Sequence, residues 1–393
     1  MDKIDELLTR GVANVIPSKE VLKKILDSGK KLNIYFGIDP TAVNIHLGHA
    51  VPLRKLQQFA ELGHNITFLV GDFTALIGDT SDKETERPQL KSEEIQKNLE
   101  TYKSQAEKVL DFSKITIKFN SEWLKELKFE DIIKLTMHFS LNDFISRELI
   151  KKRLSEGKSI GLLETLYPIM QGYDSYHLDT DIQLGGTDQT FNMQAGRTLI
   201  KDLWNKESFV LSNPFLSGTD GRKMSKTWGN AIWLTDSPDE MFGKVMSLKD
   251  ELIIEYFTLA TDISLEEIKG IETELKNGNP MEIKKRLAKE IVEMFHNKQQ
   301  AEEAEEGFRS VVQNKEIPLD IATSIFPNGA TVSASAVTNN LVGSVTEWKR
   351  LVEQHGVYRN EKRIDNPFMK NAELKEGDIL RIGKRKYVKI VKK

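Results

Sequence analysis

Two short segments carry side chains suited to phosphate chemistry. The first runs Asp39-Pro40-Thr41-Ala42-Val43-Asn44-Ile45-His46-Leu47-Gly48-His49. A loop that leads into a helix offers backbone N–H groups and the positive end of the helix dipole, and both suit an anion. Two histidines three apart on a first helical turn face one side and can donate to phosphoryl oxygens. Gly48 between them leaves room for a flat base against the backbone. The same pair could hold zinc or simply face solvent, although zero cysteines and only seven histidines argue against zinc. The second segment is Gly221-Arg222-Lys223-Met224-Ser225-Lys226-Thr227, with two lysines three apart in a polar loop. Such a pair can clamp charge that develops late, as on a departing pyrophosphate, or it can be a solvated basic turn. A third pattern, Tyr167-x-x-x-Gln171-x-x-Asp174, puts three polar groups on one helix face among Leu166, Ile169 and Met170. It suits a ligand or an internal polar network.

These residues need a frame, and the first 220 positions supply one by alternating strand and helix signals. Strands are expected at 32–38, 66–70, 115–119, 181–184 and 209–211, the second nearly all apolar as a buried parallel strand should be. Helices are expected at about 48–62, where Pro52 is tolerable in the first turn and Gly63 stops the run, and at 92–110. The repeat reads as a doubly wound, Rossmann-like α/β fold with a parallel sheet. The histidine segment then follows the first strand and the lysine segment the last. Residues 128–160 form a helical insert, apolar all round, that its own domain or a second subunit must cover. Residues 238–313 turn helical, with Ile283, Leu287, Ile291 and Phe295 four apart. The expected division is a catalytic domain over 1–222, a helical domain with the lysine loop over 223–325, a linker at 326–335, and a small α+β module over 336–393. No internal repeat is visible.

Composition sets the outer limits. The chain has 393 residues, 39% hydrophobic and 29% charged, which is the profile of a globular protein of two or three domains. The most apolar stretch, Ile66 to Ile77, is broken by Asp72, so no membrane span is expected. The charged N-terminus is unlike a signal peptide, and zero cysteines exclude a disulfide framework and a catalytic thiol. A cytoplasmic location follows as the expectation. From Asn328 onward there are 14 lysines and arginines against 7 acidic residues, a local +7, whereas residues 1–327 carry 42 against 52. A basic tail on an acidic body suits a polyanion, or serves solubility alone.

His46-Leu47-Gly48-His49 and Lys223-Met224-Ser225-Lys226-Thr227 resemble the HIGH and KMSKS signatures of class I aminoacyl-tRNA synthetases, in the order and context that family requires. Within the class, Tyr35, Asp79, Tyr167, Gln171, Asp174 and Gly185-Gly186-Thr187-Asp188-Gln189 are similar to the ligand residues of the bacterial-type tyrosyl-tRNA synthetases. The resemblance implies a tyrosine–tRNA ligase that uses ATP with Mg²⁺ carried by the phosphates, no metal site of its own and no prosthetic group. It implies L-tyrosine, ATP and the tyrosine tRNA as partners, a homodimer, and no membrane. Thr41, His46 and His49 would serve the phosphates, and Lys223 and Lys226 the pyrophosphate. Gly37, Asp39, Gly48, Gly186, Asp188 and Lys226 would line the ATP site, Asp188 on the ribose. Asp79, Tyr167 and Gln171 would hold the α-ammonium group, Gln189 would lie beside the carboxylate, and Tyr35 and Asp174 would read the phenolic hydroxyl from opposite sides. The stretch Trp348 to Asn360 resembles a small RNA-binding module found in a ribosomal protein and in pseudouridine synthases. Two positions depart from the patterns. The module's usual Val-Asn-Gly is Arg359-Asn360-Glu361, and the final Ser of KMSKS is Thr227.

Overall fold

The computed structural model describes residues 2–40, 44–79, 92–225, 228–310, 321–383 and 386–392. Its contacts divide the chain into two compact units, 1–237 with 244–295, and 238–243 with 296–393. The first is built on a six-stranded sheet. Its strands are β1 (Asn14–Ile16), β2 (Asn33–Ile38), β3 (Asn65–Val70), β4 (Ile115–Phe119), β5 (Ile182–Gly186) and β6 (Phe209–Asn213). The order is β1-β6-β5-β2-β3-β4, parallel except for β1, which pairs antiparallel with β6 as Val15 faces Leu211. Ile34, Phe36, Phe68, Ile182, Leu184, Val210 and Leu211 are buried, because helices cover both faces of a doubly wound sheet. The chain runs outward from β2 to β3 and β4 on one side and from β5 to β6 on the other. The order therefore reverses between β2 and β5, and their carboxyl ends form the crevice where such folds take ligands.

The helix Leu47–Glu61 follows β2 and ends where Gly63 takes φ +84°, a conformation suited to glycine. Pro52 falls in its second turn, not the first as expected, so the Gly48 carbonyl lacks the N–H that a helix would supply there. Two helices behind β5, Leu162–His177 and Thr190–Trp204, approach closely through glycine. A Cβ at Gly172 would lie 3.2 Å from the Ala195 backbone, and one at Gly196 2.4 Å from Ser175 Oγ. The apolar insert is three short helices, Phe129–Thr136, Leu141–Ile145 and Glu148–Ser155. Ser140 accepts the Asp143 N–H and so starts the middle one. A buried Arg153–Glu164 pair at 2.7 Å ties the insert to the helix behind β5.

The boundary expected at 222/223 is not there. The helices Ile253–Ala260, Leu265–Asn277 and Pro280–Phe295 belong to the first unit. Arg10 explains part of this. Its guanidinium donates to the carbonyls of Phe257, Thr258, Thr261 and Ile263, and so caps the exposed carbonyl end of helix Ile253–Ala260 from the N-terminal segment.

The second unit contains the basic module, and it corrects the expected linker. Residues 323–325 form β7 and Thr331 caps the helix Val332–Thr338, so 326–335 is folded. Phe326 has no exposed surface and packs with Val332, Ala336, Trp348, Leu380 and Ile390. The sheet order is β7 (Thr323–Ile325), β11 (Lys386–Val391), β10 (Ile379–Ile382), β8 (Val357–Arg359), β9 (Lys362–Arg363). The Arg359-Asn360-Glu361 departure leaves the hairpin intact. Arg359 pairs with Lys362, and Asn360 and Glu361 both take positive φ, +46° and +67°. That is the two-residue turn geometry which glycine usually supplies at the second position. Asn360 holds it by donating to Asp378 at 2.7 Å and accepting the Ile379 N–H at 2.8 Å. Among the described residues no helix is long and apolar enough to cross a membrane.

Candidate active site

The two signature segments meet at the end of β2. Leu47 N–H donates to the Ile232 carbonyl at 2.9 Å, and Leu234 N–H to the Ile45 carbonyl at 3.0 Å. His46 thus lies opposite Trp233 in a short antiparallel bridge, which ties the histidine pair to the chain just past the lysine segment. The imidazoles of His46 and His49 stack at 3.7 Å between centroids. His49 Nδ1 accepts the His46 N–H at 3.4 Å, which leaves the His49 proton on Nε2 as an outward donor. Burial, and then the neighbouring Lys223 charge, lower the His49 pKa to about 4. His46 is lowered further, by burial and then by His49. Its Nδ1 is buried with no hydrogen-bond partner. Both rings are neutral at physiological pH and can offer N–H groups without adding charge. Gly48 is needed for this stacking, since a Cβ there would sit 3.0 Å from the His46 ring.

Lys223 stands over the same place. Its ammonium lies 3.5 Å from Asp188 Oδ2 and 4.3 Å from the centre of the Phe215 ring. Asp188 follows β5, and a Cβ on Gly186 would come within 2.6 Å of its carboxylate. Asn230 organises the loop itself. It accepts the Ser225 N–H at 2.9 Å and donates to Asp220 at 2.7 Å and to the Lys223 carbonyl at 3.2 Å. Thr41 and Lys226 lie outside the described residues.

Deeper in the crevice a buried polar cluster surrounds Asp174. Trp123 Nε1–H donates to Asp174 Oδ1 at 2.7 Å and Asn120 Nδ2 to Oδ2 at 3.1 Å. Burial nevertheless dominates and raises the Asp174 pKa to about 8, against the pull of those two hydrogen bonds. The Tyr35 hydroxyl is 2.8 Å from Ser175 Oγ and 3.4 Å from Gln183 Oε1. Burial and then the Asp174 charge push its pKa up, so Tyr35 stays a neutral hydroxyl facing that carboxyl group. Carboxyl and phenol thus converge in one dry pocket with Leu69, Trp123 and Leu124.

The other polar residues fall into two pairs. The Tyr167 hydroxyl donates to Asp39 Oδ2 at 3.0 Å. Asp79 accepts from Gln189 Nε2 at 2.6 Å. Gln171 lies one turn beyond Tyr167 on the same helix. Thr74 donates to Asp39 at 2.7 Å and accepts from Asn120 at 3.0 Å, so hydrogen bonds run from Asp39 to Asp174. Gly71 makes room, because a Cβ there would fall 2.0 Å from Asp39 Oδ1. Gly37 lies in β2, one residue short of its end. Sequence reasoning missed Asn120, Trp123, Ser175, Gln183, Phe215 and Asn230. Only Ser175, next to Asp174, had a signal.

Comparison with known proteins shows the family of the chain. A family described as tRNA synthetases class I (W and Y) matches residues 27–313. The tyrosine–tRNA ligase of Dehalococcoides mccartyi is 43% identical, with 99% of each chain aligned. That of Carboxydothermus hydrogenoformans is 42% identical over 98% of this chain and 97% of the relative. Among solved structures, the C-terminally truncated mitochondrial tyrosyl-tRNA synthetase of Aspergillus nidulans superposes with a TM-score of 0.68 at 22% identity, covering 79% of this chain and 94% of that one. The Archaeoglobus fulgidus tyrosyl-tRNA synthetase complexed with L-tyrosine gives 0.61 at 23% identity, covering 77% and 98%. At those identities the likeness is one of fold.

Proposed function

The chain belongs to the class I tRNA synthetases of the tryptophan and tyrosine branch and is a tyrosine–tRNA ligase, and from that premise we propose how its own residues divide the work. The reaction uses ATP, L-tyrosine and tRNA. The tyrosine carboxylate forms a bond to the α-phosphorus while the bond to the bridging oxygen breaks and pyrophosphate leaves. A hydroxyl at the tRNA 3′ end then takes the tyrosyl group from the adenylate, releasing AMP. No side chain need act as nucleophile, so catalysis is positioning and stabilisation of the departing charge. Mg²⁺ arrives with the ATP phosphates and neutralises part of their charge.

His46 and His49 give neutral N–H donors to the phosphates, with Thr41, and Lys223 and Lys226 take the charge of the leaving pyrophosphate. Asp188 holds the ribose, and Gly37, Asp39, Gly48 and Gly186 line the ATP site. Asp79, Gln171, Tyr167 and Gln189 surround the tyrosine backbone, with Tyr167 reaching it from its place on Asp39. Tyr35 and Asp174 read the phenol. The observation that carries this reading is the bridge between residues 45–47 and 232–234, which puts the histidine pair and Lys223 on one small volume beside β5. Lys223→Ala should slow adenylate formation by on the order of 10², the scale for losing one preorganised donor, and barely change tyrosine affinity. Tyrosine-dependent ATP–pyrophosphate exchange together with equilibrium tyrosine binding makes the check. A matching loss of tyrosine affinity would move Lys223 into the amino-acid pocket.

A homodimer through the insert completes the proposal, and the location proposed is the cytosol. Phe129, Met137, Leu141 and Leu162 are 78, 79, 65 and 83% exposed, large apolar side chains in and beside the insert that a second copy would cover. Phe139 is not among them. It packs inward on Phe144 at 5.8 Å and is a poor probe of an interface. Met137→Asp with Leu162→Asp should give monomers by sedimentation while the wild type sediments as a dimer. A monomeric wild type at micromolar concentration would remove the interface.

A further inference from the structure

The helix Ser92–Ala106 and the turn after it touch the histidine segment and the chain just past the lysine segment, although no motif falls on them. Asn98 and Gln105 are both buried, at 7% and 3% exposure, and stand seven residues apart, two turns along one face. Asn98 Nδ2 donates to the Pro40 carbonyl at 2.7 Å. Gln105 Oε1 accepts the Ile45 N–H at 2.7 Å, and its own Nε2 donates back to the Thr101 carbonyl at 3.2 Å. Pro40 and Ile45 are the two ends of the loop that enters the His46 helix. Lys108, just past the helix, donates to the Leu234 carbonyl, and Leu234 is the residue whose N–H holds Ile45.

We propose that Asn98 and Gln105 are positioning residues for ATP, fixing the span between Pro40 and Ile45 and hence the place of the histidine pair. The inference rests on the reading that the loop and the histidines serve the phosphates. Its physical basis is that backbone groups at loop ends need partners when buried, and here both come from one rigid helix. A helix fixes the rise between residues seven apart, so the two loop ends cannot drift independently. Lys108 adds Leu234, so the chain just past the lysine segment shares the same brace. Neither Asn98 nor Gln105 touches tyrosine in this reading. Weakening them should therefore damage ATP use and leave the amino acid alone.

The two side chains act in opposite senses, which gives a test that simple destabilisation would fail. Gln105 accepts at Ile45, so Gln105→Glu keeps that acceptor, loses only the bond to Thr101 within its own helix, and should retain more activity than Gln105→Met, which keeps the size and loses both. Asn98 donates at Pro40, so Asn98→Asp should be as damaging as Asn98→Ala, because a carboxylate cannot donate to a carbonyl. The expected loss in kcat/KM for ATP is roughly ten- to hundredfold for the damaging variants, the range in which small misplacements act. Tyrosine Kd should stay at its wild-type value when measured well below each variant's heat midpoint. His49→Ala is the control. If it leaves ATP use intact, the phosphate reading itself is wrong. If it impairs ATP use while Gln105→Met and Asn98→Asp do not, this inference alone is overturned. It is also overturned if Gln105→Glu and Gln105→Met are equally impaired, or if ATP and tyrosine parameters fall together.

Discussion

Replacing Asp174 with asparagine is expected to cut discrimination between tyrosine and phenylalanine by on the order of 10² while ATP use stays near wild type. A buried hydrogen bond contributes about 0.5–1.5 kcal/mol net, and a buried polar group left without one costs about 1–3 kcal/mol. Phenylalanine brings no hydroxyl, so the bonds that Tyr35 and Asp174 would make to the substrate are lost and only their protein partners Ser175, Trp123 and Asn120 remain. Asparagine keeps the volume and an oxygen for Trp123, so the fold should survive. The check is the ratio of kcat/KM for the two amino acids in pyrophosphate exchange. An unchanged ratio would take Asp174 out of the hydroxyl site.

The same group provides an independent reading through pH. Its folded pKa, near 8, is above the ordinary carboxylate value because burial disfavours the charge. A raised folded pKa contributes stability that is complete below the unfolded value and is lost as pH rises through the folded one. The free enzyme should therefore lose stability progressively between about pH 4 and pH 8 through this group and level off above that, and Asp174→Asn should lack that component. Heat midpoints of the two proteins across this window give the comparison. Parallel curves would mean that Asp174 is already ionised in the folded protein at neutral pH.

The parallel core of the fold could be read from residues because buried parallel strands are nearly all apolar. Ile66 to Val70 and Phe209 to Leu211 announce themselves in that way. The edge strand β1 and the three-residue β7 could not, since each is defined by a partner distant in sequence, β6 and β11. Phe326 looked like part of a linker because its neighbours are Pro327, Asn328 and Gly329. Its burial comes from a sheet assembled more than 50 residues later. The domain boundary failed for a similar reason. Nothing near Arg10 shows that it will cap a helix some 250 residues away.

The site was legible wherever chemistry fixes both residue type and spacing. The histidine pair and Lys223 need a short local motif, and Tyr167, Gln171 and Asp174 share one helix face. The supporting residues have no such spacing. Asn120 and Trp123 reach Asp174 across more than 50 positions, and Asn230 works by bending back on its own loop. Nothing in the spacing of Tyr167 shows that its hydroxyl will meet Asp39, which Thr74 and Gly71 hold within its reach. Polar residues that position others are chosen by the fold, and sequence spacing carries no trace of them.

Ending the chain ahead of Ile321 should leave tyrosyl-adenylate formation at the full-length rate and cut transfer to tRNA by roughly 10² or more. The division matters, because a cut at Phe326 would strand β7 and a core phenylalanine. Removing residues 321–393 takes out a module with its own buried core and the whole of the basic excess, 14 lysines and arginines against 7 acidic residues. Adenylate formation draws on the histidine pair, Lys223 and the Asp174 pocket, all in the other unit. Transfer needs tRNA held in place, and phosphate contacts from lysine and arginine supply much of such affinity. Some of the module's cations lie over aromatic rings, Lys349 at 4.6 Å from Phe368 and Arg381 at 4.0 Å from Tyr358. Phe368 is 64% exposed, which suits stacking on an unpaired base. Two readouts separate recognition from solubility. Affinity of the full chain for tRNA should fall steeply with salt, and the truncated chain should show a shallower slope, since fewer phosphate contacts release fewer counterions. A truncated enzyme that charges tRNA at the full rate with the same salt slope would reduce the module to a solubilising tail.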